Sequence, residues 1–460
     1  MLIDLLSPFK GALGDYTELR AQTNKTKRVV FLKGSMTGNT QSEIGGVSAR
    51  VYRGGTFGFA SSADYTETSV KNVLKAASEN AAFMDTHASR GLPPLPKMPN
   101  DKIDLKIYPK DETSQSQLID FAKQLDDIIE KKYKKLSSRV VVTDQLNIEK
   151  QLVVSDGADN RFFQPRSIVY VFMTADTDDG IPVELFEGFG RLGHFEETFT
   201  DPNALVEKLD KLYEALMHKR EGIFPDAGLR KCILDPALAG MLAHEAVGHT
   251  VEADIVRGGS VAAHNLNKQV ASEMVTMVDF AHTALGKPCP LPVYADDEGV
   301  AAEDVTLIEN GILKAYLHSR ESARHFGVTP QGNARAFSYS DEPLIRMRNT
   351  AVLPGKSKME DMIASIDDGY YLVKTGNGQA DTTGEFMFSV DLGYEIKNGK
   401  LGKAVRETTI SGVAFEMLKT VDMLSDDMNW ECIGFCGKKQ PMTVGAGGPA
   451  IRCELNVGGK

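Results

Sequence analysis

The stretch GMLAHEAVGHTVEADIV, residues 240–256, places His249 five positions after His244, with Glu245 directly following the first histidine. A glutamate beside the first of two helical histidines suits zinc binding with the carboxylate as general base, but in that motif the histidines are four apart. On a regular α-helix, residues four apart differ by about 40° and residues five apart by about 140°. Two imidazoles at the wider spacing cannot reach one ion from such a helix. A π-type turn, with more than four residues per turn, returns them to one face. The spacing therefore predicts a π-bulge or a break between His244 and His249. Gly248 is the residue expected to ease it, because it has no Cβ to crowd a distorted backbone. On spacing alone a plainer reading stays open, two helix histidines of which one is partly buried and hydrogen-bonded.

Working outward, the motif follows an apolar turn, AGMLA, and continues into Thr250, Glu252 and Asp254. Carboxylates there could hold metal-bound imidazoles by their second nitrogen, or could simply solvate a helix end. A catalytic zinc takes three protein ligands and keeps one position open. The glycine-flanked segment ECIGFCGKKQPMTVGAGG (431–448) offers Cys436 in a loop-like context, although a small core residue is the ordinary role of a single cysteine.

The helix divides two differently patterned halves. Strand-like runs YTELRAQT, RVVFLKG and SARVYRGGTFGFAS lead into a helical stretch, TETSVKNVLKAASENAAFM. From residue 138 the pattern recurs as SRVVVTDQL, KQLVVSDG, RSIVYVFMTAD and VELFEGFGRLG, followed by the helix ALVEKLDKLYEALMHKR. A separate amphipathic helix, SQSQLIDFAKQLDDIIEKKYKKL (114–136), lies between them. After one helix over roughly 236–256, the second half has short strands punctuated by NG, GNG and NGK, which is hairpin chemistry. The expected fold is α+β: an α/β N-terminal domain of two β-β-β-α units over 1–222, and a mainly antiparallel β domain over 223–460 carrying the histidine helix. Two domains also suit a chain of 460 residues.

Bulk composition narrows the function classes. The formal net charge of −11 disfavours a nucleic-acid partner, since phosphate binding needs concentrated Lys and Arg. The short basic cluster KKYKKL (131–136) reads as one solvated helix face. No apolar run reaches the roughly 20 residues a membrane helix needs. The first residues, MLIDLLSPFKGALGDY, lack the charged start and apolar core of a signal peptide, and five cysteines in a long chain do not form a disulfide framework. A reduced, cytoplasmic protein without nucleic-acid or membrane partners is expected.

Beyond single motifs, HEAVGHTVEAD, DDEGVAAEDVTLIENGILKAYLHSR (296–320), RMRNTAVLPG (346–355), GNGQADTTGEFMFSVDLGYEIKNGK (376–400) and the C-terminal ECIGFCGKKQPMTVGAGGPAIRCELNVGG together resemble the TldD/PmbA family of zinc-dependent peptidases, in particular its TldD-type catalytic members. The loop VRGGSVAAHNLNKQVASEM departs from the family's forms, and the N-terminal third matches only in pattern. The resemblance implies a Zn2+ ion held by His244, His249 and Cys436, with Glu245 as catalytic base; Cys432 is the rival for the cysteine position. It implies hydrolysis of peptide bonds in unfolded or extended peptides through a metal-activated water, and assembly as a homodimer or as a heterodimer with a PmbA-type subunit. Tyr316, His318 and Arg320 are candidates for steadying the oxyanion. Two alternatives use the same residues: a catalytically silent peptide-binding or partner subunit, and a zinc amidohydrolase acting on non-peptide amides.

Overall fold

The structure is a computed structural model that describes residues 4–88, 91–92, 94–98, 103–106 and 114–459. β1 (Thr17–Leu32) and β2 (Ser35–Arg53) form a long antiparallel hairpin. It turns at Lys33 and Gly34, both at positive φ (50° and 83°), the backbone that two-residue hairpin turns require. β3 (Thr56–Ser62) folds back on β2, and α1 (Glu67–Ala88) covers the pair. Gly58 permits their close approach, because a Cβ there would lie 2.2 Å from the Ala77 carbonyl oxygen.

β4 (Ile103–Lys106) and α2 (Gln115–Lys132) follow, then β5 (Ser138–Val154), β6 (Asp159–Asp176) and β7 (Pro182–Leu192). α3 (Phe195–Thr198) and α4 (Val206–Arg220) complete this half. The sheet runs β3-β2-β1-β5-β6, with β4 and β7 sharing the outer edge of β6. The two repeated passages thus join through antiparallel β1–β5 pairing. Leu118, Phe121, Leu125 and Ile129 of α2 and Leu209, Leu212 and Leu216 of α4 share a buried cluster with Val141, Val171 and Leu185 of the strands. The basic cluster at 131–136 is not one helical face: α2 ends at Lys132, and buried Tyr133 stacks on Tyr213 and donates to Asp210 at 2.8 Å.

The second half holds two larger sheets. β8 (Gly228–Leu234) pairs with strands 451–457 and 368–380, which lead through 408–413 and 385–397 and close the sheet on itself by the pairing of 368–380 with 385–397. The other sheet is centred on β9 (Met277–Phe280) and residues 349–352. Both are mainly antiparallel, each with one parallel pairing, as between Gly369–Leu372 and Lys231–Leu234. Buried ion pairs join these sheets to the first half: Arg50 contacts Glu18 at 2.7 Å and also Glu298, and Lys150 contacts Asp297 at 2.6 Å.

The expected single helix over 236–256 is segmented. α5 (Pro236–Met241) begins with proline at its first position and Asp235 accepting from the Leu238 amide at 2.9 Å, a complete N-cap. A π-helix covers Leu242–Gly248, a tight 3-10 turn covers His249–Val251, Glu252 is extended, and α6 (Ala253–Arg257) follows. Leu238, Leu242, Ala243, Ala246 and Val247 bury one face among Cys232, Leu372, Phe388 and Met347, so the widened turn is held by the core on that side.

Candidate metal centre

The widened turn does to the histidines what their spacing requires. Their rings lie 5.2 Å apart, nearly perpendicular at 83°. Gly248 serves it differently from the expectation: its φ of −57° and ψ of −45° are ordinary helical values. A Cβ there would instead fall 2.0 Å from the Met347 sulfur and 3.2 Å from the Ala243 carbonyl oxygen, so the glycine serves close packing against Met347 and not backbone distortion.

Cys436 reaches the same place from a short antiparallel ribbon, Phe435–Cys436 against Met442–Thr443. One donor atom each from His244, His249 and Cys436 lie within 4.8 Å of one another, and the Cys436 Sγ sits 3.1 Å from His249 Nε2. His249 Nδ1 faces the fully buried Glu252 carboxylate at 3.1 Å, which turns Nε2 toward the sulfur. The Glu245 carboxylate stands 3.7 Å from His249 Nε2 and is one-third exposed. Lys438 Nζ bridges Glu252 at 2.9 Å and Asp254 at 2.7 Å, tying the cysteine ribbon to the histidine segment. The buried Arg346 donates to the Cys436 carbonyl at 2.7 Å and to those of Lys438 and Gln440 at 2.8 Å each, fixing the ribbon's course.

These groups fit a metal. Among the described residues, the ring nitrogens of His244 are buried with no hydrogen-bond partner apart from the nearby Cys436 sulfur, a costly state for imidazole unless something takes a lone pair. Burial pushes the Cys436 thiol up, but the two imidazoles beside it outweigh that and hold it at about 4, so the sulfur is a thiolate at neutral pH. Two imidazoles, one thiolate and a flanking carboxylate are a donor set suited to zinc.

Other sequence candidates fall elsewhere. Cys432 is outside the cluster, packed against β7 so closely that a Cβ on Gly190 would come 2.8 Å from its sulfur. The Tyr316 hydroxyl donates to the Ala262 carbonyl at 2.8 Å. His318 faces Ser322, and burial lowers its pKa to about 4. Arg320 is fully buried, paired with Asp156 and donating to the Glu298 carbonyl. All three have structural partners. Lys438 and Arg346 were not singled out by sequence; their contacts are to backbone oxygens and distant carboxylates, which leave no local motif.

Comparison with known proteins finds family models in both halves of the chain. Residues 228–459 match the PmbA/TldA metallopeptidase C-terminal domain, and residues 17–81 match PmbA/TldA metallopeptidase domain 1. A metalloprotease of Methanocaldococcus jannaschii is 31% identical over 458 residues, 97% of each chain. The chain belongs to the PmbA/TldD metallopeptidase family. A zinc metalloprotease TldD homolog of Saccharolobus solfataricus is 35% identical over 314 residues, 68% of this chain and 67% of the relative. The crystal structure of TldE from Thermococcus kodakarensis superposes with a TM-score of 0.76 over 100% of both chains at 18% identity, a likeness of fold. His244, Glu245, His249 and Cys436 all lie inside the matched PmbA/TldD C-terminal domain. Among the described residues, no helix is long and apolar enough to cross a membrane.

Proposed function

We propose that this chain is a zinc-dependent peptidase in which His244, His249 and Cys436 hold the metal and Glu245 is the general base, acting on unfolded or extended peptides. The observation that carries this reading is the convergence of three donors within 4.8 Å, from two separate segments. Zinc in such a site acidifies water and polarises a scissile carbonyl. Glu245, at the cluster's exposed side, accepts the proton of the attacking water and delivers it to the leaving amine. Glu252 holds His249 by Nδ1 and fixes which nitrogen faces the cluster. The name of one relative, a zinc metalloprotease TldD homolog, supports the same reading.

The wider assignment belongs to this proposal: two domains meeting between residues 222 and 223, a cytoplasmic location supported by five free cysteines, and assembly as a homodimer or with a PmbA-type chain. Elemental analysis of protein purified under reducing conditions, with an unstructured-peptide cleavage assay, tests the core of it. Wild type should carry about one zinc per chain. Cys436→Ser should lose most of it, while Cys432→Ser keeps it. Glu245→Gln should retain metal and lose roughly 10²–10⁴-fold in turnover. Zinc undiminished in Cys436→Ser would overturn the ligand set. Zinc without cleavage of any peptide, alone or with a partner chain, would make this a silent subunit, and cleavage confined to small amides would make it an amidohydrolase.

A further inference from the structure

Strand β1 presents two unlike faces. Leu19 and Ala21 pack into the apolar cluster beneath α1, while Arg20, Gln22 and Asn24, at alternate positions, face the other way. These three polar side chains are buried, at 3%, 1% and 7% exposed. They meet the loop 337–343 of the second half, which connects the paired segments Ala334–Arg335 and Leu344–Ile345. Gln22 Nε2 and Asn24 Nδ2 both donate to the Phe337 carbonyl, at 2.5 and 2.7 Å. Arg20 donates to the carbonyls of Ser338 and Tyr339 at 3.0 and 3.3 Å, and to that of Asp341. Arg50 of β2 reaches the Pro343 carbonyl at 3.3 Å. Side chains of the first half thus hold this loop by its backbone.

The same loop holds the cysteine ribbon. The Phe337 amide donates to Gln440 Oε1 at 2.9 Å, and Gln440 Nε2 donates to the Glu342 carbonyl at 2.8 Å. Gln440, 7% exposed, lies in the connection between Phe435–Cys436 and Met442–Thr443. The Phe337 ring meets the Phe435 ring edge-on at 5.9 Å and packs against Cys436, Met442 and Val444. Phe337 is therefore used on both sides: its carbonyl accepts from β1, and its amide donates to the ribbon.

A metal ligand has to be held within about 0.5 Å of its productive place by the residues around it. His244 lies on a turn packed into the core, whereas Cys436 sits on a ribbon of two short strands. The ribbon's placement depends on what it is docked against.

We propose that Gln22 and Asn24 of β1 and Gln440 of the ribbon are positioning residues for the Cys436 ligand, acting through the loop 337–343, so that the first half of the chain sets how well the second half binds metal. The inference rests on the metal-site reading above and adds the residues that hold one ligand in place. Linkage makes the effect reciprocal: a metal that favours the docked ribbon favours docking of the two halves by the same factor.

The test titrates full-length protein with Co2+ under reducing conditions. Chelator competition gives the affinity, and the thiolate-to-cobalt charge-transfer band reports Cys436. In parallel, metal-free protein is treated with iodoacetamide, and alkylation of Cys436 is timed by mass spectrometry. Gln440→Met, which keeps the side chain's length and loses both hydrogen bonds, should weaken Co2+ binding about tenfold and dim the band at saturation. Gln22→Ala with Asn24→Ala, both in the other half of the chain, should weaken it about threefold or more. Combined with Gln440→Met, the loss should be smaller than the product of the separate losses, because all three side chains act through one loop. The control is Leu125→Ala, which opens a cavity between α2 and its sheet: it should lower thermal stability and leave Co2+ affinity within about twofold. Where wild type binds Co2+, unchanged affinity in the latch variants, losses that multiply independently, or an equal loss in Leu125→Ala overturns the proposal. If wild type takes up no Co2+, the metal reading fails separately and alkylation decides. Faster labelling of Cys436 in the latch variants than in Leu125→Ala then upholds the positioning role, and equal rates overturn it.

Discussion

Arg348 and His244 are buried almost equally, 0% and 3% exposed, yet their polar atoms are treated in opposite ways. Arg348 donates to the Asp279 carboxylate at 2.9 Å and to the carbonyls of Gln331 and Glu303 at 2.8 and 2.7 Å, so each of its nitrogens is used. Among the described residues, His244 has no hydrogen-bond partner apart from the nearby Cys436 sulfur, and none of the three Arg166 guanidinium nitrogens has one. Folding normally satisfies buried polar groups within the chain. At the histidine turn two imidazoles and a cysteine converge within 4.8 Å, and that convergence is what sets it apart from single buried polar atoms left unpaired elsewhere. The arginine scaffold around Asp279 carries the sheet, and the histidine turn brings together groups that could hold a metal.

The largest effect should come from damaging the satisfied region. Asp279→Ala strands Arg348 as a buried unpaired cation and should cost about 3–5 kcal/mol in urea unfolding. A loss under about 1 kcal/mol would erase the contrast, showing that water reaches Arg348 and completes it. At the unsatisfied cluster, Glu252→Gln should weaken metal retention roughly 10–100-fold in competition with a chelator, with little change in apo stability. Gly248→Ala drives a methyl into the Met347 sulfur and should destabilise by about 1–3 kcal/mol. Combined with Met347→Ala it should cost less than the two single changes summed, and thermal denaturation of the four proteins measures that coupling. The smallest effect has an unusual sign: Arg166→Leu should leave the ligand-free protein equally stable or more stable by about 1 kcal/mol. A clear loss of stability would place Arg166 with the scaffold.

Local chemistry was legible before the structure, and long-range chemistry was not. The five-residue histidine spacing demanded a widened turn, and one is present over Leu242–Gly248. The two repeated strand-and-helix passages are present as β1–β3 with α1 and β5–β7 with α3 and α4. Gly248 was flagged as important for a reason that the backbone does not share, because Met347 lies 99 positions away and its packing leaves no trace around the glycine. Closure of the sheet through residues 368–380 was equally hidden, since it depends on a strand that pairs with two partners at once. Cys436 could be proposed from its glycine-flanked context, but its choice over Cys432 drew on family resemblance. Lys438 and Arg346 were invisible because a side chain that serves distant carbonyls has no required neighbour in sequence.

The π-helix also bears on insertions and deletions. A regular helix lengthened by one residue turns everything beyond it by about 100°, which would throw His249 to the wrong side of the core. The widened turn absorbs the additional residue locally, and the extended Glu252 four positions later resets the chain before α6. Deleting Ala246 would leave the histidines four apart, a spacing that an ordinary α-turn aligns, and would shift the chain beyond them by about 1.5 Å along the axis. The site is therefore one codon from the common spacing, and the turn marks where that codon is accommodated.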